Sequence, residues 1–173
     1  SNLNLGSNFQ LIELYIDNLL DKDNFILSSE YKIDFEDLKN YLAELSFELI
    51  TKNTNTNYQI TYKDLVDFTD RYKKLNKRFV IEIEDIIHLI LDKGIIKKVD
   101  SNYTFRLNGV FEYFLGHYMS IDETFRNSTI NNDNFYLSFG NELEICAGLN
   151  MYDYDYVKSI FDKTKYIFSP ISA

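Results

Sequence analysis

Five cations fall within one short stretch at Arg71, Lys73, Lys74, Lys77 and Arg78, and two more stand side by side at Lys97 and Lys98. Where such residues converge they neutralise phosphates or acidic partners; where they do not, they coat a solvated loop. The inventory for covalent chemistry is sparse. The sequence contains no GxxxxGK[ST], so it lacks the Walker A loop that cradles a nucleotide's phosphates, and it has no GxSxG, HExxH or pair of cysteines. His88 and His117 have no companions at metal-ligand spacing, which makes one a surface histidine and the other a packed or surface one. Glu112 reads as a carboxylate in the first turn of a helix, favoured by the helix dipole. Tyr113 and Phe114 read as core, and Cys146 as a small buried hydrophobe. Glu112 and Tyr113 join the seven cations as candidate interaction residues; no catalytic or metal-binding residue and no cofactor is expected of this chain.

The elements that must position these residues are legible from periodicity. In Tyr103–Leu107 the apolar side chains alternate with Thr104 and Arg106, as on a strand with one face inward. Asn108 is placed to cap a following helix, in which Val110, Phe111, Phe114, Leu115 and Tyr118 recur at three- and four-residue spacing. Ile95–Val99 makes a second strand, joined to the first by the turn-forming Asp100, Ser101 and Asn102. Ahead of this hairpin, Ile81–Lys93 reads as a helix with Ile83, Ile86, Ile87, Ile90 and Leu91 inward and Gly94 as a left-handed C-terminal cap. Thr61-Tyr62-Lys63-Asp64 opens another helix, with Leu65, Phe68, Tyr72 and Leu75 on one face. Helix, helix, hairpin is the order of a winged helix-turn-helix.

The run Phe105-Arg106-Leu107-Asn108-Gly109-Val110-Phe111-Glu112-Tyr113-Phe114-Leu115-Gly116 resembles a segment of NACHT-type STAND NTPases, in which a strand ending Phe-x-His leads into a helix reading Phe-Gln-Glu-Phe/Tyr-Phe-Ala-Ala. Leu11–Leu20 is similar to that family's helix near the end of its nucleotide-binding region, and Ile86–Ile96 to its entry into the wing. The resemblance spans about residues 8–119. It implies a winged-helix region, without catalytic activity of its own, whose parent binds ATP or ADP and whose partner is the nucleotide-binding domain of the same polypeptide. It further implies homo-oligomerisation through the parent, and a role in antiviral or stress signalling. In the family the His of Phe-x-His reaches the β-phosphate of bound ADP; the matching position here is Leu107, which offers neither donor nor charge.

With 173 residues the chain is long enough to bury a core without staples. Opening on Ser-Asn, it reads as an excised piece of a longer protein. One cysteine excludes an internal disulfide and fits a reducing compartment, and no apolar run approaches the roughly 18 residues that a membrane span requires. A cytoplasmic location away from membranes is expected. The net charge of −9 is uneven: residues 1–50 carry 3 Lys/Arg and 10 Asp/Glu, residues 51–107 carry 11 and 8, and residues 108–173 carry 4 and 9. Only the winged-helix region is basic. Even so, its second helix exposes Glu82, Asp85, His88 and Asp92, with Glu84 at the margin, four carboxylates where a DNA reader needs Lys or Arg, so the nucleic-acid-binding winged helix stands as the alternative function, not the first.

The remaining chain reads as mainly helical. A helix over 8–21 turns Phe9, Ile12, Ile16, Leu19 and Leu20 inward, a polar connector spans 23–32, and Asp34 caps a helix to Thr51 with Phe35, Leu38, Leu42, Leu45 and Leu49 as its seam. Residues 52–58 form a loop. Ser120-Ile121-Asp122-Glu123 reads as a capping box, with a polar break at 131–134 beyond it. Residues 133–147 and 153–168 read as a helical hairpin turning at Gly148. The expected organisation is an N-terminal helix and connector (1–33), a winged-helix domain (34–119) and a C-terminal helical segment (120–173), with seven or eight helices and one two-stranded hairpin.

Overall fold

The computed structural model describes residues 5–20, 33–52 and 58–169. The expected connector over 23–32, most of the loop over 52–58 and Pro170 lie outside them. Among the described residues the chain is mainly helical with one small sheet. In order it forms α1 (Leu5–Leu19), α2 (Phe35–Lys52), β1 (Ile60–Thr61), α3 (Tyr62–Leu75), α4 (Ile83–Asp92), β2 (Ile96–Val99), β3 (Asn102–Phe105), α5 (Asn108–Ile121), α6 (Glu123–Asn131), α7 (Asp133–Ser138), α8 (Gly140–Leu149) and α9 (Tyr154–Ile167). The sheet has three strands in the order β1-β3-β2, all antiparallel, where the sequence predicts two. Two residues of β1 are too few to show an alternation; their pairing, Ile60 with Tyr103 and Thr61 with Asn102, depends on the distant hairpin.

Local rules account for most boundaries. The Asp34 carboxylate accepts the Asp37 N–H at 2.8 Å and starts α2. Thr61 caps α3 by accepting the Asp64 N–H at 3.1 Å, and its own hydroxyl donates to the Asp64 carboxylate at 2.7 Å. After α4, Gly94 takes φ +68°, its N–H bonds the Leu91 carbonyl and the Ile95 N–H bonds the Ile90 carbonyl, a Schellman closure that an L side chain would strain. The hairpin turns at Asp100 with φ 54°.

Four local expectations give way. Asn108 does not cap α5: Leu107 holds that position in extended backbone with no side-chain bond, and Asn108 is the first helical residue. Leu107 accordingly leaves the strand face and is about half exposed, while Phe105 is buried. Ser120 lies inside α5, and the cap of α6 is Asp122, which accepts the Phe125 N–H at 2.7 Å. Residues 133–147 are two helices broken at Phe139, and Gly148 is helical, not a turn. A Cβ there would lie 2.6 Å from the Phe9 ring, so this glycine exists for the approach of α1 to α8. The expected pairing of residues 133–147 with 153–168 runs through α7 and not along α8: Tyr136 of α7 donates to the Ile160 carbonyl of α9 at 3.1 Å, and α9 also packs on α6. Val157 and Phe161 lie exposed as a result, while Tyr156 is buried.

Helix α5 is the centre. It packs most extensively against α8 on one side and α2 on the other, and α1 reaches the same layer through α8. One apolar cluster runs from Ile16 of α1 through Leu38, Leu42 and Leu45 of α2 and Phe114 of α5 to Leu143 and Cys146 of α8. The stripe anticipated for α5 is therefore only part of its buried surface, since Tyr113, Gly116, His117 and Met119 are buried as well.

Candidate interaction surface of the helix and hairpin unit

The basic stretch at the end of α3 is largely neutralised within the fold. Arg71 donates to the Glu48 carboxylate of α2 at 2.7 Å, Lys74 pairs with Asp70 one turn earlier at 2.5 Å, and Lys73 lies 3.7 Å from Glu82. Each exposed pair contributes little to stability, but together they cancel the field that a phosphate ligand would feel. Lys77 and Arg78 are exposed in the turn between α3 and α4. Burial and the neighbouring Asp34 raise the Asp37 carboxyl, and the charge of Arg78 partly offsets them. The hairpin cations do not converge either: Lys97 stands opposite Thr104 and Lys98 opposite Tyr103, so as successive strand residues they point to opposite faces of the hairpin. Both are exposed.

The outer face of α4 is acidic. Ile86, Ile87, Leu89 and Ile90 are buried, leaving Glu82, Glu84, Asp85, His88 and Asp92 exposed. Its four carboxylates are those expected of this face, with Glu84 fully on the surface and not at its margin. Arg106 lies over the C-terminal end of α4, its guanidinium 3.0 Å from where a Gly94 Cβ would sit, which places a cation at the negative end of the helix dipole.

At the start of α5, Leu107 is half exposed and its carbonyl accepts the Val110 and Phe111 N–H groups at 3.2 Å. Glu112 lies past the first turn, contrary to the expectation, and accepts the side-chain amide of Asn108 at 2.7 Å. Tyr113 is fully buried, as a core residue and not a surface contact. Its ring stacks with His117 at 6.3 Å and lies 5.9 Å from the Lys39 ammonium. His117 Nε2 meets the Asn40 Oδ1 at 3.2 Å, while its Nδ1 has no partner. Burial, with a smaller push from Lys39, lowers the imidazole to about 4 and keeps it neutral at pH 7. Cys146 is buried beside Asn150, whose amide lies 3.6 Å from the sulfur, and burial raises its thiol. Among the described residues no group of three or more His, Cys, Asp or Glu could hold a metal ion, and no helix is long and apolar enough to cross a membrane.

Sequence reasoning missed two concave features. A groove of about 370 Å³ between α1, α8 and the start of α9 is lined by Phe9, Ala147, Gly148, Met151 and Val157, with Glu13 and Glu144 also on its walls. A second, of about 230 Å³, opens between α2 and α3, walled by Phe47, Phe68, Tyr72 and Tyr118 with Glu44 and Arg71 beside them. Its signal was present as Glu44-x-x-Phe47-Glu48 and Phe68-x-x-Arg71-Tyr72, two helical faces that each mix aromatic and charged side chains.

Residues 58–115 match the model of a family described as Novel STAND NTPase 4. The matched stretch begins just ahead of β1, takes in α3, α4 and the hairpin, and ends within α5. No curated protein and no solved structure matches the chain.

Proposed function

We propose that this chain is a non-catalytic regulatory and interaction module of a STAND-type NTPase, in which residues 58–115 form a winged helix that packs on the nucleotide-binding domain of the same polypeptide. In this reading the module couples that domain's ATP- or ADP-bound state to sensing or oligomerisation, in antiviral or stress signalling. The observation that carries it is the coincidence of the family match with one structural unit: a short strand, two helices and a hairpin whose third strand pairs back onto the first. Two sequence facts support assigning the nucleotide chemistry elsewhere in the parent. The chain has no phosphate-cradling loop, and Leu107 stands where the resembling NACHT-type segment carries its phosphate-contacting histidine.

Charge placement favours protein over nucleic acid as the partner. The helix that would enter a major groove turns carboxylates outward, three of the cations behind it are paired, and Lys97 and Lys98 diverge. Two measurements test the reading. Calorimetric titration of the chain with ATP or ADP is expected to show no micromolar binding, whereas the chain is expected to co-purify with the parent's nucleotide-binding domain and to do so differently in its ADP and ATP states. Micromolar nucleotide binding by the chain alone would overturn the assignment. Salt-sensitive DNA binding at low micromolar concentration, abolished by charge reversal at Lys73, Lys74, Lys97 and Lys98, would replace it with the nucleic-acid reading.

A further inference from the structure

The groove between α2 and α3 has the composition of a cation site. Phe47 and Tyr118 stack at 4.3 Å along its floor, and Phe68 and Tyr72 form the α3 wall. Aromatic faces present negative potential to a cation, and carboxylates beside them supply the counter-charge. Glu48 is already engaged, holding Arg71 at 2.7 Å and Lys52 at 3.3 Å. Glu44, one turn earlier on the same face of α2, is half-buried and among the described residues has no such partner: burial raises its carboxyl, and the nearby Asp122 raises it further. Asp122 itself accepts the Tyr118 hydroxyl at 3.0 Å. Among the described residues, the charges around Glu44 are Glu48, Asp122 and Arg71, with the Tyr72 and Tyr118 phenols held protonated by burial.

We propose that this groove receives an arginine side chain from a partner protein, its guanidinium pairing with Glu44 against the aromatic lining. The volume, about 230 Å³, suits one long side chain and falls below the roughly 300–1,000 Å³ that drug-sized ligands occupy. Guanidinium is preferred to ammonium because it is planar, stacks on rings and gives a carboxylate two parallel donors. The fold holds its own precedent in the Arg71–Glu48 pair at the edge of the same groove. Glu44 repeats the acceptor of that pair without its donor. The inference does not depend on the STAND reading: the arginine is that of a separate partner protein, and its failure would leave that reading untouched.

The probe is the tripeptide acetyl-Gly-Arg-Gly-amide, titrated into the full 173-residue chain by heteronuclear NMR. Saturable shifts confined to residues of α2, α3 and Tyr118 are expected at millimolar peptide, and the isosteric neutral citrulline peptide is expected to bind at least about tenfold more weakly, the loss of one charge-assisted pair. Glu44→Gln, with an otherwise unchanged spectrum, is expected to remove the preference for arginine. In the unmodified protein the Glu44 carboxyl resonance should titrate at lower pH once the arginine peptide is bound, a readout that needs no variant. Equal binding of the citrulline or lysine peptide, an unmoved Glu44 titration, or the absence of saturable shifts would each overturn the proposal.

Discussion

The α3–α4–hairpin unit and the α5–α8 pair handle charge in opposite ways. In the first, no charged group is buried, and charges cancel in pairs such as Lys74–Asp70 and, with Glu48 of α2, Arg71–Glu48. In the second, titratable groups are inside: His117 of α5 and Glu142 of α8 are both buried. Surface pairing costs little and leaves stability almost indifferent to pH, whereas each buried group carries a desolvation penalty that depends on its protonation. The stretch that matches a family model, residues 58–115, is thus electrostatically quiet, and His117 and Glu142, which follow it in the chain, carry pH-dependent energy.

That difference can be broken open by titration, with the largest expected effect. Burial raises the Glu142 carboxyl to about 7, its own backbone N–H offsetting part of this and Glu112 adding to it. Its contribution is therefore fully present below the ordinary carboxyl value of 4.5 and is lost as pH rises through about 7. His117 runs the other way, present above 6.5 and lost as pH falls through about 4. Each swing is on the order of 3 kcal/mol from the size of the shift. The two oppose each other across nearly the same window, so the unmodified chain should show a flat stability profile between about pH 4.5 and 6.5. Glu142→Gln is expected to expose the His117 slope, with chemical-denaturation stability rising over that range and exceeding the parent's at pH 8. His117→Gln should expose the reverse. A flat profile in both variants would sink the contrast.

The second break is steric and compares two glycines. At Gly116 a Cβ would lie 2.7 Å from the Glu142 carbonyl oxygen and 2.8 Å from Ile145, backbone and branched carbon that cannot swing aside. Gly116→Ala should lose about 2 kcal/mol, because overpacking outweighs the roughly 1 kcal/mol that alanine ordinarily gains in a helix. Gly94→Ala meets only the Arg106 side chain but forces a left-handed residue, and should lose about 1 kcal/mol. Thermal denaturation of the two variants checks the order; a stabilised Gly116→Ala would mean that α5 and α8 are not in close contact.

These glycines also mark what the sequence could reveal. Gly94 was legible because its signal is local: a helical apolar period stops, and a residue able to take positive φ follows. Gly116 and Gly148 were not, since what they meet, Ile145 and Phe9, is fixed by tertiary packing. The same division separates the seam of α2, readable from its spacing, from α5, whose burial all round needs α2 and α8 on opposite sides. Caps were ambiguous where two residue types competed: Asp122 displaced Ser120, and the extended backbone at Leu107 displaced Asn108. The cation cluster was visible, but its neutralisation was not, because Glu48 lies on another helix. For the same reason the Glu44 groove escaped notice.

A hydrogen bond tests the quiet stretch from inside. The Thr69 hydroxyl donates to the Leu65 carbonyl at 2.7 Å, so in the 2.8 Å bond between Tyr41 and Thr69 it is Tyr41 that donates. Tyr41→Phe removes that donor while Thr69 keeps its own bond, and should cost about 1 kcal/mol by urea denaturation, with no pH dependence between 5 and 8. A loss above about 3 kcal/mol would show that the unit depends on buried polar groups as much as the helix pair does.

The smallest expected effect sharpens the comparison most directly. Lys74 and Asp70 are spaced one helical turn apart on α3, both solvent-exposed, at 2.5 Å. Their attraction is screened by water and by salt, and holding two long side chains in one geometry costs entropy, so Lys74→Ala should change stability by less than about 0.5 kcal/mol. The basic residue precedes nothing that it shields from solvent, and the alanine introduced is the better helix former. What the substitution does change is the local field, since it takes from the Asp70 carboxylate its Lys74 partner. Because salt screens the pair in the parent, the small difference between parent and variant should shrink further as salt is raised. A loss above about 1 kcal/mol would mean that the surface pairs hold this unit together, and the contrast between a quiet surface and a costly interior would no longer separate the two regions.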